Sequence, residues 1–152
     1  MPLTGGNVCF VPQSGSYYRY LKPTDPGAGN PLTWTHSSYD EALLLITLYC
    51  RLALAVTGTN RYFRMRAFSS SGRTVWMHKC ALAQLDMENR RYLWDRHNEN
   101  KNTFRGSFLI SGPVPYLWLL PGSSITLDVE NQGGTDSLYQ CLLQVKSYRV
   151  KT

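Results

Sequence analysis

Charge is scarce in this sequence: only 17% of its 152 residues are Asp, Glu, Lys or Arg. Set beside 43% hydrophobic and 12% aromatic residues, that scarcity excludes the low-hydrophobicity, high-charge composition of a disordered chain. Runs of basic residues are missing too, none exceeding the pair Arg90-Arg91. The net excess of Lys and Arg, 16 − 10 = 6, is therefore scattered from Arg19 to Arg149, and no dedicated nucleic-acid groove is written into it. The longest apolar stretch, EALLLITLYCRLALAV at 41–56, is too short and too interrupted by Arg51 to span a bilayer as a helix.

Cysteine and histidine are few and far apart. Cys9, Cys50, Cys80 and Cys141 form no CxxC pair and have no nearby His pair, which leaves a structural zinc site without support. The opening MPLTGGNVCFV has no basic region leading into a long apolar one. Four free thiols and synthesis in a reducing cytoplasm are the expectation. His36, His78 and His97 stand alone, and no HExxH, GxSxG, GxxxxGK[ST] or GxGxxG motif occurs. The cluster Asp95-Arg96-His97 reads as a polar loop. No catalytic residue, metal ligand or cofactor site is expected.

What is present is alternation. Ile125, Leu127 and Val129 alternate with Thr126, Asp128 and Glu130, the period-2 pattern of a strand with one face buried and one wet. Pro121-Gly122 supplies the turn that feeds this strand. After the loop from Asn131 to Ser137, the residues Tyr139, Cys141, Leu143 and Val145 restart the pattern. The apolar segment at 41–56 has Asp40-Glu41 where a helix cap would sit. Its Ile46, Thr47, Tyr49, Cys50 and Val56 nevertheless favour one long strand, bent near Arg51.

Further strands follow at turn-limited spacing. RYFRMRAFS places Phe63, Met65 and Ala67 on one face, and RTVWMHK places Val75 and Met77 on one face with Trp76 and His78 on the other. Arg61, Arg64 and Arg66 are the densest basic stretch, and Arg64 and Arg66 share a face with Tyr62 and Phe68. That mixture suits base stacking or a solvated strand face whose long side chains cover apolar neighbours. The good helix formers at 80–88 predict a short helix; RRYLW and FRGSFLIS predict strands, with DRHNENKN a loop between them. One domain of this length, built of many short strands, points to a sandwich or barrel.

Residues 1–40 differ. The stretch SGSYYRYLKPTDPGAGNPLTWTHSS is rich in Gly, Pro, Ser and Tyr and has no sustained period, so it reads as an extended N-terminal arm. Tyr17, Tyr18, Tyr20 and Trp34 either pack on the sandwich edge or contact a partner.

The succession of LLLITLYCRLALAVTGTNR, YFRMRAFSSSGRTVW and PVPYLWLLPGSSITLDVENQGGTDSLYQCLLQV resembles small jelly-roll structural proteins of tailed-bacteriophage virions. The resemblance covers about residues 41–150 and implies an all-β, antiparallel sandwich of jelly-roll type over 41–152. Pro115, Leu117, Trp118, Leu120, Pro121 and Gly122 would then form a rigid corner closing the sandwich.

The function so implied is that of a capsid cement or decoration protein. Its partner would be the major capsid protein, met at the capsid surface of a virion assembled in the host cytoplasm. A homo-oligomer is implied, a trimer before others, with no membrane and no specific nucleic acid as partner. A neck, head-to-tail or tail component is the nearest alternative. A carbohydrate-binding module, with Tyr and Trp stacking on sugars, comes from a different class, and a nucleic-acid binder comes third.

Overall fold

The computed structural model describes residues 9–12, 18–54, 60–84, 89–96, 103–104 and 109–151. The larger of two sheets takes its strands from the whole length of the chain. These are β1 (Cys9–Pro12), β2 (Arg19–Leu21), β4 (Glu41–Ala53), β7 (Asn89–Asp95), β8 (Thr103–Phe104), β9 (Leu109–Pro113), β10 (Trp118–Leu119) and β12 (Ser137–Lys151). The smaller sheet is β3 (Leu32–Thr35), β11 (Ser124–Glu130), β5 (Tyr62–Phe68) and β6 (Thr74–Lys79), in that order. No helix occurs among the described residues.

Two long pairings wind the chain. β4 lies antiparallel to β12 in the larger sheet, and β5 lies antiparallel to β11 in the smaller one. The successive strands β4 and β5 thus cross between sheets beside β11 and β12, which do the same, and the result is a β-sandwich of jelly-roll type. One pair departs from the antiparallel rule, since β7 and β9 run parallel.

The core fills the space between the sheets. Leu43, Leu45, Leu48, Cys50 and Leu52 of β4 meet Phe63, Met65 and Ala67 of β5 and Ile125, Leu127 and Val129 of β11 there. Phe63, Tyr92 and Trp94 stack, with ring centroids 4.4 Å and 4.8 Å from Phe63. The buried Tyr92 hydroxyl donates to Gln84 Oε1 at 2.8 Å, and Gln84 Nε2 donates to the Leu52 carbonyl at 2.9 Å. The polar atoms that Tyr92 and Gln84 bring into this core are thus paired.

Two β-bulges explain where simple alternation fails. Leu45 pairs with Val145 and Thr47 with Gln144, so Ile46 is the extra residue and β4 changes phase there. Leu43 and Leu45 point inward before it, Leu48, Cys50 and Leu52 after it. On β12 the irregularity lies between Tyr139 and Leu142, where Gln140 takes a positive φ of 49°. Leu138 rather than Tyr139 is therefore the inward residue ahead of Cys141, a correction to the uninterrupted alternation expected from Tyr139.

Three other expectations change. Residues 80–84 form bends and one isolated bridge between Gln84 and Arg61, not the start of a helix, and 85–88 lie outside the described residues. Thr126 and Asp128 are buried although they face away from the core. Arg64 donates to both carboxylate oxygens of Asp128 at 2.8 Å and 3.1 Å, and Arg66 pairs with the same group. Long cationic side chains from β5 thus cover what the pattern marks as wet.

Residues 18–40, read as part of an arm, contribute β2 and β3 to the two sheets, and Leu32 sits in the core. Arg19 and Ser147 both bond to the buried Glu41 carboxylate, which ties β2 and β12 to the start of β4.

Candidate functional site

The phase change in β4 gives the larger sheet an unusual outer surface. Before Ile46, apolar Leu44 faces outward, opposite Lys146 of β12 on one side and Trp118 of β10 on the other. β7 ends at Asp95, and the following Arg96 N–H donates to the Ile46 carbonyl at 3.0 Å. The Leu45 N–H donates to Leu117 at 3.0 Å, so the β10 segment continues the edge that β7 leaves open.

These placements create a groove of about 350 Å³ lined by Tyr18, Leu44, Ile46, Arg96, Tyr116, Trp118, Lys146 and Tyr148. Leu44 and Ile46 are its buried apolar residues. Trp118 and Tyr148 meet edge to face with ring centroids 5.0 Å apart, a favourable arrangement for aromatic quadrupoles. The Arg96 guanidinium lies 3.4 Å from the Tyr116 ring centroid, and Lys146 Nζ lies 5.3 Å from that of Tyr148. Tyr116 is 71% exposed and Tyr18 52%. Both charged lining residues are cationic, so the groove combines stacking surface with attraction for negative charge.

The residues singled out from sequence distribute unevenly over this geometry. Tyr18 lines the groove; Tyr20 lies nearby on the same sheet, its hydroxyl accepting from Gln144 Nε2 at 3.3 Å. Trp34 belongs to the smaller sheet, where it stacks on His36 at 5.9 Å and packs against the core. Tyr17 lies outside the described residues.

Trp118 turns outward into the groove, while its neighbours Leu117 and Leu119 enter the core. Pro121 and Gly122 form the turn that carries the chain from β10 to β11: Ser123 N–H donates to Leu120 at 2.9 Å, and Gly122 has a φ of +84°. Pro then Gly at these two positions is the signature of a type II turn.

Tyr116, Lys146 and Tyr148 were not singled out from sequence, and Arg96 was named only within the Asp95-Arg96-His97 cluster read as a polar loop. Lys146 and Tyr148 carry a readable signal, since they fall in the outward phase opposite Val145 and Ser147.

The other candidates resolve differently. Arg64 and Arg66 pair with Asp128, and Lys79 with Glu130, whose carboxyl it holds below its ordinary value. Arg61 turns inward to Asp136. Cations on the smaller sheet are thus matched by carboxylates. His78 accepts from Trp94 Nε1 at 2.9 Å through Nδ1, and burial pushes its pKa down. His97 lies outside the described residues. Among the described residues no group of three or more His, Cys, Asp or Glu is placed to hold a metal ion.

Fold and surface together define a two-sheet β-sandwich of jelly-roll type carrying an aromatic, basic groove. No protein-family model matches the chain, and no curated protein matches it. Among solved structures it is similar to a mutant VP2 protein of infectious bursal disease virus in derived T=1 particles, at 10% identity and a TM-score of 0.40, over 94% of this chain and 34% of that one. It is also similar to the structure of the infectious bursal disease virus Gt strain, at 12% identity and a TM-score of 0.32, over 94% of this chain and 39% of that one. The chain spans between about a third and two fifths of those chains.

Proposed function

We propose that the chain is a structural component of a virus particle, a capsid cement or decoration protein that fastens neighbouring major capsid subunits. The groove on the larger sheet is the observation that carries this reading. Exposed Tyr rings and the half-buried Trp118 beside Arg and Lys have the composition of an interface centre. The basic lining selects an acidic, extended segment of the capsid subunit as occupant. A homotrimer gripping several subunits of a fixed lattice gains avidity from contacts that are individually modest. The resemblance of residues 41–150 to bacteriophage virion proteins supports the same assignment.

The test is co-sedimentation with intact, DNA-filled particles. Wild-type protein pellets in stoichiometric amount, and the double variant Tyr116→Ala, Lys146→Glu stays in the supernatant. Equal pelleting of both proteins would remove the groove from the docking role; no pelleting of either would remove the cement assignment itself. Binding confined to isolated necks or tails would relocate the protein within the particle. The exposed Tyr116 ring beside Trp118 also favours a second reading, a carbohydrate-binding module, which predicts retention on a glycan array by wild type and loss of it in Tyr116→Ala.

A further inference from the structure

Cys50 of β4 and Cys141 of β12 are 91 residues apart in sequence, yet their Sγ atoms lie 2.7 Å from each other inside the core. The bulge at Gln140 brings this about: Tyr139 pairs with Arg51 and Leu142 with Tyr49, leaving Gln140 and Cys141 together opposite Cys50. Both thiols are buried, and their other polar neighbours are the backbone carbonyls of Arg51 and Tyr139. Among the described residues a metal ion would find two sulfur ligands here and no third ligand group.

From this placement we infer that Cys50 and Cys141 are a cross-linking site, joined by a disulfide once the chain meets a small-molecule disulfide oxidant such as oxidised glutathione. One cysteine thiolate attacks a sulfur of the oxidant, whose S–S bond breaks and releases a glutathione thiolate. The second cysteine thiolate attacks the protein sulfur of that mixed disulfide, forms the Cys50–Cys141 bond and expels the other glutathione thiolate. The two protons given up by the cysteines end on the two glutathione thiols; two protein thiols are oxidised and one glutathione disulfide is reduced.

Burial governs the timing. Desolvation, with the Cys141 thiol alongside, pushes the Cys50 thiol well above its ordinary pKa, and only thiolate attacks. Exchange therefore runs while β12 is still undocked, during folding or local opening, and is slow in the closed protein. The same enclosure shields the finished bond from reductants. The inference does not depend on the virion assignment, although an extracellular particle is a setting where disulfides persist.

The full chain, refolded from denaturant in a mixture of reduced and oxidised glutathione and quenched by alkylation, tests this directly. Peptide mapping is expected to yield a Cys50–Cys141 cross-linked peptide, with the label on Cys9 and Cys80 and a monomeric band on a non-reducing gel. Native protein in the same buffer acquires the bond at least tenfold more slowly. The oxidised form unfolds at a midpoint roughly 5 to 15 °C above its reduced form, and Cys50→Ala and Cys141→Ala each abolish that difference. Full alkylation of both cysteines, or a bond from either one to another cysteine, would overturn the inference. An oxidised form no more stable than the reduced one would show that the native strands do not hold the pair in a bondable arrangement, and would overturn it equally.

Discussion

Arg61 and Asp136 form an ion pair inside the protein, Arg61 Nε donating to Asp136 Oδ2 at 3.1 Å with both side chains buried. The same oxygen accepts the Gly133 N–H at 2.6 Å, and the Asp136 carbonyl accepts from Gly29 at 2.8 Å. The pair fixes the loop before β12 to the start of β5 and to the segment leading into β3. Removing one partner strands a buried charge. Arg61→Ala or Asp136→Ala is expected to cost about 3–5 kcal/mol in urea unfolding. Asp136→Ala is the worse of the two, because it also frees the Gly133 N–H.

Gly122 is constrained twice. Its φ of +84° disfavours a side chain, and an added Cβ would come within 2.9 Å of Ser70 Cβ. Gly72 shares the first constraint, at +78°, but has nothing within 4 Å. Gly72→Ala should cost about 1 kcal/mol, the conformational penalty alone, and Gly122→Ala about 2 kcal/mol or more. Ser70→Gly in the Gly122→Ala background is expected to recover the difference.

His78 makes stability pH-dependent. Burial lowers its pKa below the ordinary 6.5, so between the folded and unfolded values the unfolded chain binds more protons. Its contribution is complete above the unfolded value and is lost as pH falls through the window down to the folded one. The urea midpoint should drop as pH falls below about 6.5, the ordinary histidine value, and His78→Gln should flatten that part of the profile.

If the groove docks a capsid segment as proposed, its charges act on association and leave folding largely alone. Arg96→Glu combined with Lys146→Glu should shift the melting midpoint by no more than about 2 °C. Particle binding by the wild type should weaken steeply with added salt, and binding by the double variant should be weak at all salt concentrations.

Much of the sandwich was legible because period-2 patterns are direct consequences of two-faced sheets. Phe63, Met65 and Ala67 face the core together, as do Ile125, Leu127 and Val129. The bulges were not legible, since neither Ile46 nor Gln140 is a residue type that announces one. Missing them hides which faces of β4 and β12 are inside, and with that the groove. Trp118 and Tyr18 could be named from sequence, but nothing in their spacing brings them together. Their meeting depends on β10 taking over the β4 edge where β7 stops, a long-range event.

The β4–β12 pairing also sets a timetable. Ala53 pairs with Ser137 and Glu41 with Arg149, so the most apolar strand waits for a partner synthesised on the order of 100 residues later. At ribosomal speeds of roughly 5–20 residues per second, that wait is about 5 to 20 s. Until then, of the described strands, β4 has only β7, over Thr47–Ala53, and β10, at Leu43 and Leu44, to pair with, so its β12 edge stays open to wrong partners or to a chaperone that binds extended apolar chain. Nascent chains truncated before Ser137 should therefore be retained by holdase chaperones, and chains extended past Lys151 should escape them.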